Sequence, residues 1–171
     1  KRPIYFAITV DPNQFVRRAP DFQKTGLAYR LVPFSTRAEG ARPINTEKMY
    51  DNVMNRFKWG GADKPGVYIE ENTMRLCKSY RMYVFGELAQ ALLREGKRDK
   101  ALAVVDKAMK VLPAVNVPLD YSAIAIGETY MALGQKDKGE PILDDLLENY
   151  LRSIRWYVRL KPAQFARVRD G

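Results

Sequence analysis

The chain has 171 residues, 46% of them hydrophobic and 29% charged, with a formal net charge of +9. That length suits one compact domain with an appendage, and so much apolar content excludes a disordered chain. Histidine is absent and cysteine occurs once, which removes the commonest general base, the usual serine and cysteine triads, most zinc sites and any internal disulfide.

The chain opens on Lys1-Arg2-Pro3, with neither a methionine nor a signal peptide, and reads as a piece of a longer protein. No apolar run approaches the roughly 20 residues needed to cross a bilayer, so a soluble chain is expected. Residues 4–10, IYFAITV, form a β-branched and aromatic run stopped by Asp11-Pro12-Asn13. A second extended run, LAYRLVPF over 27–34, follows Gly26. The two are expected to pair as a small antiparallel ribbon that leans on helices, since two strands alone are marginal in water. The polar stretch 13–25 between them has room for a turn of helix. Residues 35–44, with Gly40, Pro43, Arg37 and Arg42, read as an exposed loop.

From Thr46 the pattern turns helical. Met49, Tyr50, Val53, Met54 and Phe57 recur on one face, with Asn45 or Thr46 as cap and Gly60-Gly61 as the stop. A connector over 60–71 carries a Pro65-Gly66 turn and a short apolar Val67-Tyr68-Ile69 that should pack back on the helices. Glu70 and Glu71 supply the negative charge favoured at a helix start. The helix they introduce, over 72–95, would reach about 36 Å. Its apolar face holds Met74, Cys77, Tyr80, Phe85, Leu88 and Leu92. Its first two turns are expected to carry the ribbon and the 46–58 helix.

Between Met82 and Leu151 one helix-pair pattern is written twice, as MYVFGELAQALLREGKRDKALAVVDKAMKVLP and DYSAIAIGETYMALGQKDKGEPILDDLLENYL. Aligned on Gly96 and Gly134, each gives an apolar helix, a charged turn and a second helix. This resembles a pair of tetratricopeptide repeats. Phe85, Leu88, Ala89 and Leu92 match the family's first-helix sites, and Ala101, Val105, Ala108 and Pro113 its second-helix sites. The second copy supplies Ala123, Ile126, Gly127 and Tyr130, then Gly139, Leu143 and Leu146, but has Leu151 where proline is expected. Its period of about 38 residues exceeds the usual 34, the excess lying in the loop 114–119. Such a unit cannot bury its own face and must stack on a neighbour. Beyond Tyr150 the helix should run through Ile154, Trp156, Tyr157 and Leu160 to Lys161-Pro162. It is expected to cap the stack, burying Trp156 and Tyr157. The alternative is a basic amphipathic helix lying on a membrane or on an acidic partner, with Arg152, Arg155 and Arg159 as its contacts.

Charge falls in blocks: about +5 over 1–45, −1 over 46–71, +5 over 72–113, −5 over 114–150 and +5 over 151–171. The acidic second repeat interrupts any continuous basic surface, which leaves weak nucleic-acid binding as a minor alternative.

Catalytic signatures are missing as well. Gly61-Ala62-Asp63-Lys64-Pro65-Gly66 has the two-glycine spacing of a phosphate loop but continues with Val67 in place of lysine. Asp144, Asp145 and Glu148 share a helical turn as an exposed face would. No catalytic residue, cofactor or metal site is expected. The candidate surface is instead the inner groove. The resemblance implies that first-helix positions line it: Tyr83, Gly86, Gln90, Leu93 and Arg94 in the first copy, and Tyr121, Ile124, Glu128, Met131 and Ala132 in the second. Two tyrosines, an amide, a cation and an anion suit an extended peptide. The opposing expectation is a shallow groove already filled by the N-terminal elements.

In the order KRPIYFAITV, GLAYRLVPF, INTEKMYDNVMNRFKWGG, PGVYIEEN and the paired repeats, nearly the whole chain resembles the C-terminal soluble region of a Bacteroidetes family. These are multi-pass membrane proteins of unknown function, similar to protein O-mannosyltransferases that use a lipid-linked sugar. The resemblance implies that transferase chemistry belongs to a membrane part absent from this sequence, so no catalytic residue carries over. It also implies a domain of an inner-membrane protein held beside the bilayer on the periplasmic side. The expected architecture is therefore mainly α. Residues 1–71 form an N-terminal ribbon, loop and extra helix, and 72–171 form about two tetratricopeptide-like hairpins with a C-terminal capping helix. The expected role is a non-catalytic interaction or scaffold domain that presents acceptor proteins, with a protein or peptide partner. A purely structural domain packing on its own membrane portion is the alternative.

Overall fold

The structure, a computed structural model, describes residues 2–10, 21–33, 43–161 and Gln164. The loop expected over 35–44 lies mostly outside these residues, as do 13–20 of the polar stretch and the stop at Pro162. The described chain is mainly helical, with a small antiparallel sheet at its front.

The sheet has three strands where two were expected: β1 (Tyr5–Ala7), β2 (Phe22–Lys24) and β3 (Ala28–Leu31), in the order β1-β3-β2. The strand missing from the sequence reading lies in the polar stretch. Three residues are too few for an alternation to register, yet Phe22 and Lys24 are buried while Gln23 between them is half-buried. β3 is central, setting Tyr29 opposite Phe6 on one side and Lys24 on the other. The tight turn between β2 and β3 passes through Gly26 at φ +134°. A Cβ there would fall 2.7 Å from the Phe57 ring, so only glycine lets the hairpin sit on the helix beneath.

That helix, α1 (Thr46–Asp51), is capped by the Asn45 side chain, which accepts from the backbone N–H of Lys48. It widens into a π-helical turn over Asn52–Arg56. Glu70 caps the next helix, its carboxylate accepting from the N–H groups of Asn72 and Thr73. From there α2 (Glu71–Tyr80), a π-helical turn (Arg81–Gly86) and α3 (Glu87–Arg94) follow one another without a break. The expected long helix is present, with a local widening in its middle that no residue pattern announces.

The hairpin partners are α4 (Arg98–Val111) for the first pair, and α5 (Ile124–Ala132) with α6 (Lys136–Val158) for the second. Gly96 and Gly134 turn both pairs at φ +73° and +79°. One apolar core runs through all of it. Met49 and Val53 of the front helix pack with Phe85, Leu88 and Leu92, and then with Ala101, Val105, Ala108, Ile126 and Leu146. The small residues of the repeat pattern thus face inward: Ala101 and Ala108 are wholly buried.

Two attachments differ from expectation. The front end is held by the second half of the long helix, not by its first two turns, which stand exposed apart from Met74 and Cys77. Lys24 reaches Glu87 at 2.9 Å and the Thr46 hydroxyl donates to Glu95 at 2.9 Å. The C-terminal segment is also no cap. It is the continuation of α6 in one 23-residue helix, exposed after Leu146 at every residue but the half-buried Asn149. The aligned positions differ by one proline, although α6 itself runs through Pro141 near its start. Pro113 follows closely on the end of α4, whereas Leu151 at the aligned position lets α6 run on.

Candidate functional site

The groove residues lie on two first helices that cross closely. Gly86, in the π-helical turn, faces Ala125 on α5, and a Cβ on Gly86 would come within 2.9 Å of the Ala125 Cβ. Without a side chain at 86 the helices approach backbone to side chain, which sets the groove floor. Gln90 and Glu128 meet across this seam, the amide donating to the carboxylate at 3.4 Å. Tyr83 and Tyr121 stand outward, 44% and 58% exposed, with Ile124 beside them at 40%. Leu93 and Met131 are half-buried, while Arg94 and Ala132 reach solvent. The residues expected to line the groove are thus grouped on the paired first helices, with Tyr121 in the 3-10 turn (Tyr121–Ala123) that leads into α5 and Gly86 as floor instead of wall.

The sheet closes one end of this surface. Lys24, 2% exposed, holds Glu87 at 2.9 Å, and its ammonium lies 5.6 Å from the ring centres of both Tyr29 and Tyr83. Burial, then the Glu87 carboxylate, pushes the Tyr29 phenol above its ordinary pKa, so Tyr29 is a neutral hydroxyl at physiological pH. The open part lies toward Tyr121, Ile124 and Glu128.

Sequence reasoning missed Arg81. Its side chain is fully buried, and its guanidinium donates to the carbonyls of Leu112, Val117 and Pro118 at 3.0, 2.6 and 3.1 Å. An arginine on an apolar helix face gives no sequence signal that it will be inside. Here it fastens the loop between hairpins, and Lys78 with Asp120 at 2.9 Å adds a second tie. A third network joins the hairpins: Asp106 accepts from the Tyr130 hydroxyl and from Lys138, each at 2.8 Å. Burial, then the bond to Asp106, raises the Tyr130 pKa and keeps that hydroxyl a donor.

A separate cleft of about 550 Å³ lies between the front helix and α4, lined by Met54, Trp59, Asp63, Asp106, Lys107 and Lys110 among others. Lys107 is engaged there, donating to the Met54 carbonyl at 2.6 Å.

The outer half of α6 carries the remaining site residues. Leu147, Ile154, Trp156 and Val158 are 58, 56, 52 and 80% exposed, and Tyr150, Leu151 and Tyr157 are exposed as well. Trp156 and Tyr157 meet edge to face at 5.0 Å but are not buried by any stack. Arg152, Arg155 and Arg159 line a shallow recess with Glu148 and Trp156. No helix among the described residues is long and apolar enough to cross a membrane, and none of their carboxylates and Cys77 gather into a metal-holding group.

A family model described as TMEM260-associated domain 2, a domain family associated with a membrane protein, matches residues 1–53. The match takes in the sheet and all of α1, and ends two residues into the π-helical turn that follows, before the helical hairpins. No curated protein and no solved structure matches the chain.

Proposed function

We propose that this chain is a non-catalytic interaction domain of a larger membrane protein, one that holds an extended polypeptide in the groove between its paired first helices. The observation behind this reading is the pair Tyr83 and Tyr121, both largely exposed on helices whose close crossing is set by Gly86 against Ala125. Tyrosine supplies wide contact area at low entropic cost, and Gln90 with Glu128 offers hydrogen bonds that fix register. The hairpins follow a tetratricopeptide-like plan, in which an inner groove serves this purpose. The match of residues 1–53 to a membrane-protein-associated family supports a larger membrane-bound parent. The resemblance to multi-pass proteins similar to O-mannosyltransferases supports a glycosyltransferase-like parent of an inner membrane. In that setting the domain faces the periplasm and presents acceptor proteins.

A second reading, a structural domain that packs on its own membrane portion, is favoured by Lys24 covering the Tyr83 end of the groove. The two separate in one experiment. A library of extended peptides is screened against the chain, and the best binders are measured again with Tyr83→Ala and Tyr121→Ala combined. The groove reading expects a loss of about tenfold or more in affinity with an unchanged thermal midpoint. Affinity that survives both changes removes the groove.

A further inference from the structure

We propose that the outer half of α6 rests on an anionic lipid surface, with Leu147, Tyr150, Leu151, Ile154 and Val158 toward the acyl chains and Arg152, Arg155 and Arg159 among the headgroups. This contact is independent of the groove and of what the groove holds.

Continuity of the apolar stripe is the first observation. On α6 the residues that pack into the body, Gly139, Ile142 and Leu146, are followed on the adjoining side by Leu147, Tyr150, Leu151, Ile154 and Val158. At 3.6 residues per turn these five fall within an arc of about 100°. Every one of them is exposed. Five large apolar side chains on one helix face form the kind of patch that water does not cover cheaply and that marks a contact surface.

Charge identifies what covers it. From Tyr150 to Lys161 the sequence YLRSIRWYVRLK holds four cations and no carboxylate. Arg152, Arg155 and Arg159 occupy an arc of about 60° beside the stripe, and Glu148 is the carboxylate that shares their recess. An apolar face with an adjoining cationic face is what a helix needs to lie in the plane of an anionic bilayer. Each cation near such a surface strengthens partitioning by about fivefold. The exposed length, about 18 Å over 147–158, is too short to cross the hydrocarbon layer, so the helix lies on the membrane.

A second copy of the chain is the competing occupant, because an antiparallel pair of α6 helices would set Asp144, Asp145 and Glu148 near the arginines. The free seam is against it. Only about three turns stand clear of the body, less than two heptads, where a stable helix pair needs three or four. A bilayer needs no matching seam.

The test uses the full chain and sedimentation with vesicles of phosphatidylglycerol and phosphatidylcholine, alongside pure phosphatidylcholine. Binding is expected to the anionic vesicles alone and to weaken steeply in high salt. Arg152→Glu with Arg155→Glu and Arg159→Glu should release the protein by about a hundredfold or more. Ile154→Ser with Val158→Ser should weaken binding about tenfold with the charge intact, because the stripe enters the acyl boundary. These side chains are exposed, so thermal midpoints of the variants serve as the folding control. Tyr83→Ala with Tyr121→Ala should bind vesicles as the parent does, which keeps this result separate from the groove. Three results overturn the proposal. Absence of sedimentation at low salt is one. Displacement by millimolar inorganic phosphate, with no effect of the Ile154 and Val158 changes, would show a free-anion site. Self-association that Ile154→Ser abolishes, without vesicle binding, would assign the stripe to a second copy.

Discussion

The guanidinium of Arg81 donates to the backbone carbonyl of Val117 at 2.6 Å, and solvent reaches neither residue. A cation at the centre of a helical core is normally costly. Here it is offset because the inter-hairpin loop turns three carbonyls, those of Leu112, Val117 and Pro118, toward one planar fork. The loop that makes the repeat period long is therefore an ordered strap.

Arg81→Ala should be the most damaging single substitution in this region. It leaves the buried carbonyls of Leu112 and Val117 without a donor, and frees that of the more exposed Pro118, at a cost of about 3–5 kcal/mol. Urea unfolding would read this as a lower midpoint with a similar slope. A loss under about 1 kcal/mol would mean that water replaces the guanidinium, and that the loop is looser than its bonds suggest.

Gly86→Ala should cost about 1–3 kcal/mol, since its new methyl would lie 2.9 Å from the Ala125 Cβ. The compensating change Ala125→Gly should restore part of the loss. Equal stability of the single and double variants, by the same unfolding measurement, would place the helix crossing elsewhere.

Glu47 gives a pH signature. Bonds from Lys100 and then Lys97 hold its carboxyl at about 2, down from the ordinary 4.5. A folded-state pKa below the unfolded one stabilises above the unfolded value and is lost as pH falls through the folded value. The advantage of the parent over Glu47→Gln should therefore be complete near pH 6, shrink below about 4.5 and vanish near 2. Thermal midpoints across that range check it, and a gap independent of pH would break the link. Because Glu47 is exposed, the gap should also shrink in high salt.

Leu151→Pro tests the sequence cause of the projecting helix. Proline there should end α6 about two turns earlier, near the point where Pro113 stops its counterpart. The residues beyond are exposed, so helical circular dichroism should fall while the thermal midpoint moves little. A large drop in midpoint would show that the outer half of α6 supports the body.

Much of this architecture was legible because it is local. Helix faces, glycine turns and the twice-written hairpin each follow from spacings within a few residues, and the buried Ala101, Ala108 and Phe85 sit where those spacings put them. Asn45 and Glu70 announce their helices by the same short-range logic. The third strand escaped notice because Phe22–Lys24 is too short for its alternation to stand out from a polar stretch. The groove residues were legible as positions, but not the intrusion of Lys24 over Tyr83. That contact joins residues far apart in sequence, and no spacing rule reports it.

The sequence by itself determined the helices, their pairing and the small residues at their contacts, because 3.6-residue periodicity and chain stiffness act over one or two turns. Only the tertiary structure decided which charges go inside and which apolar faces stay out. Arg81 is buried because a distant loop presents carbonyls to it, and the stripe from Leu147 to Val158 is bare because α6 outruns the helix it packs on. Both outcomes depend on what lies across space from a side chain, a quantity that local pattern does not contain.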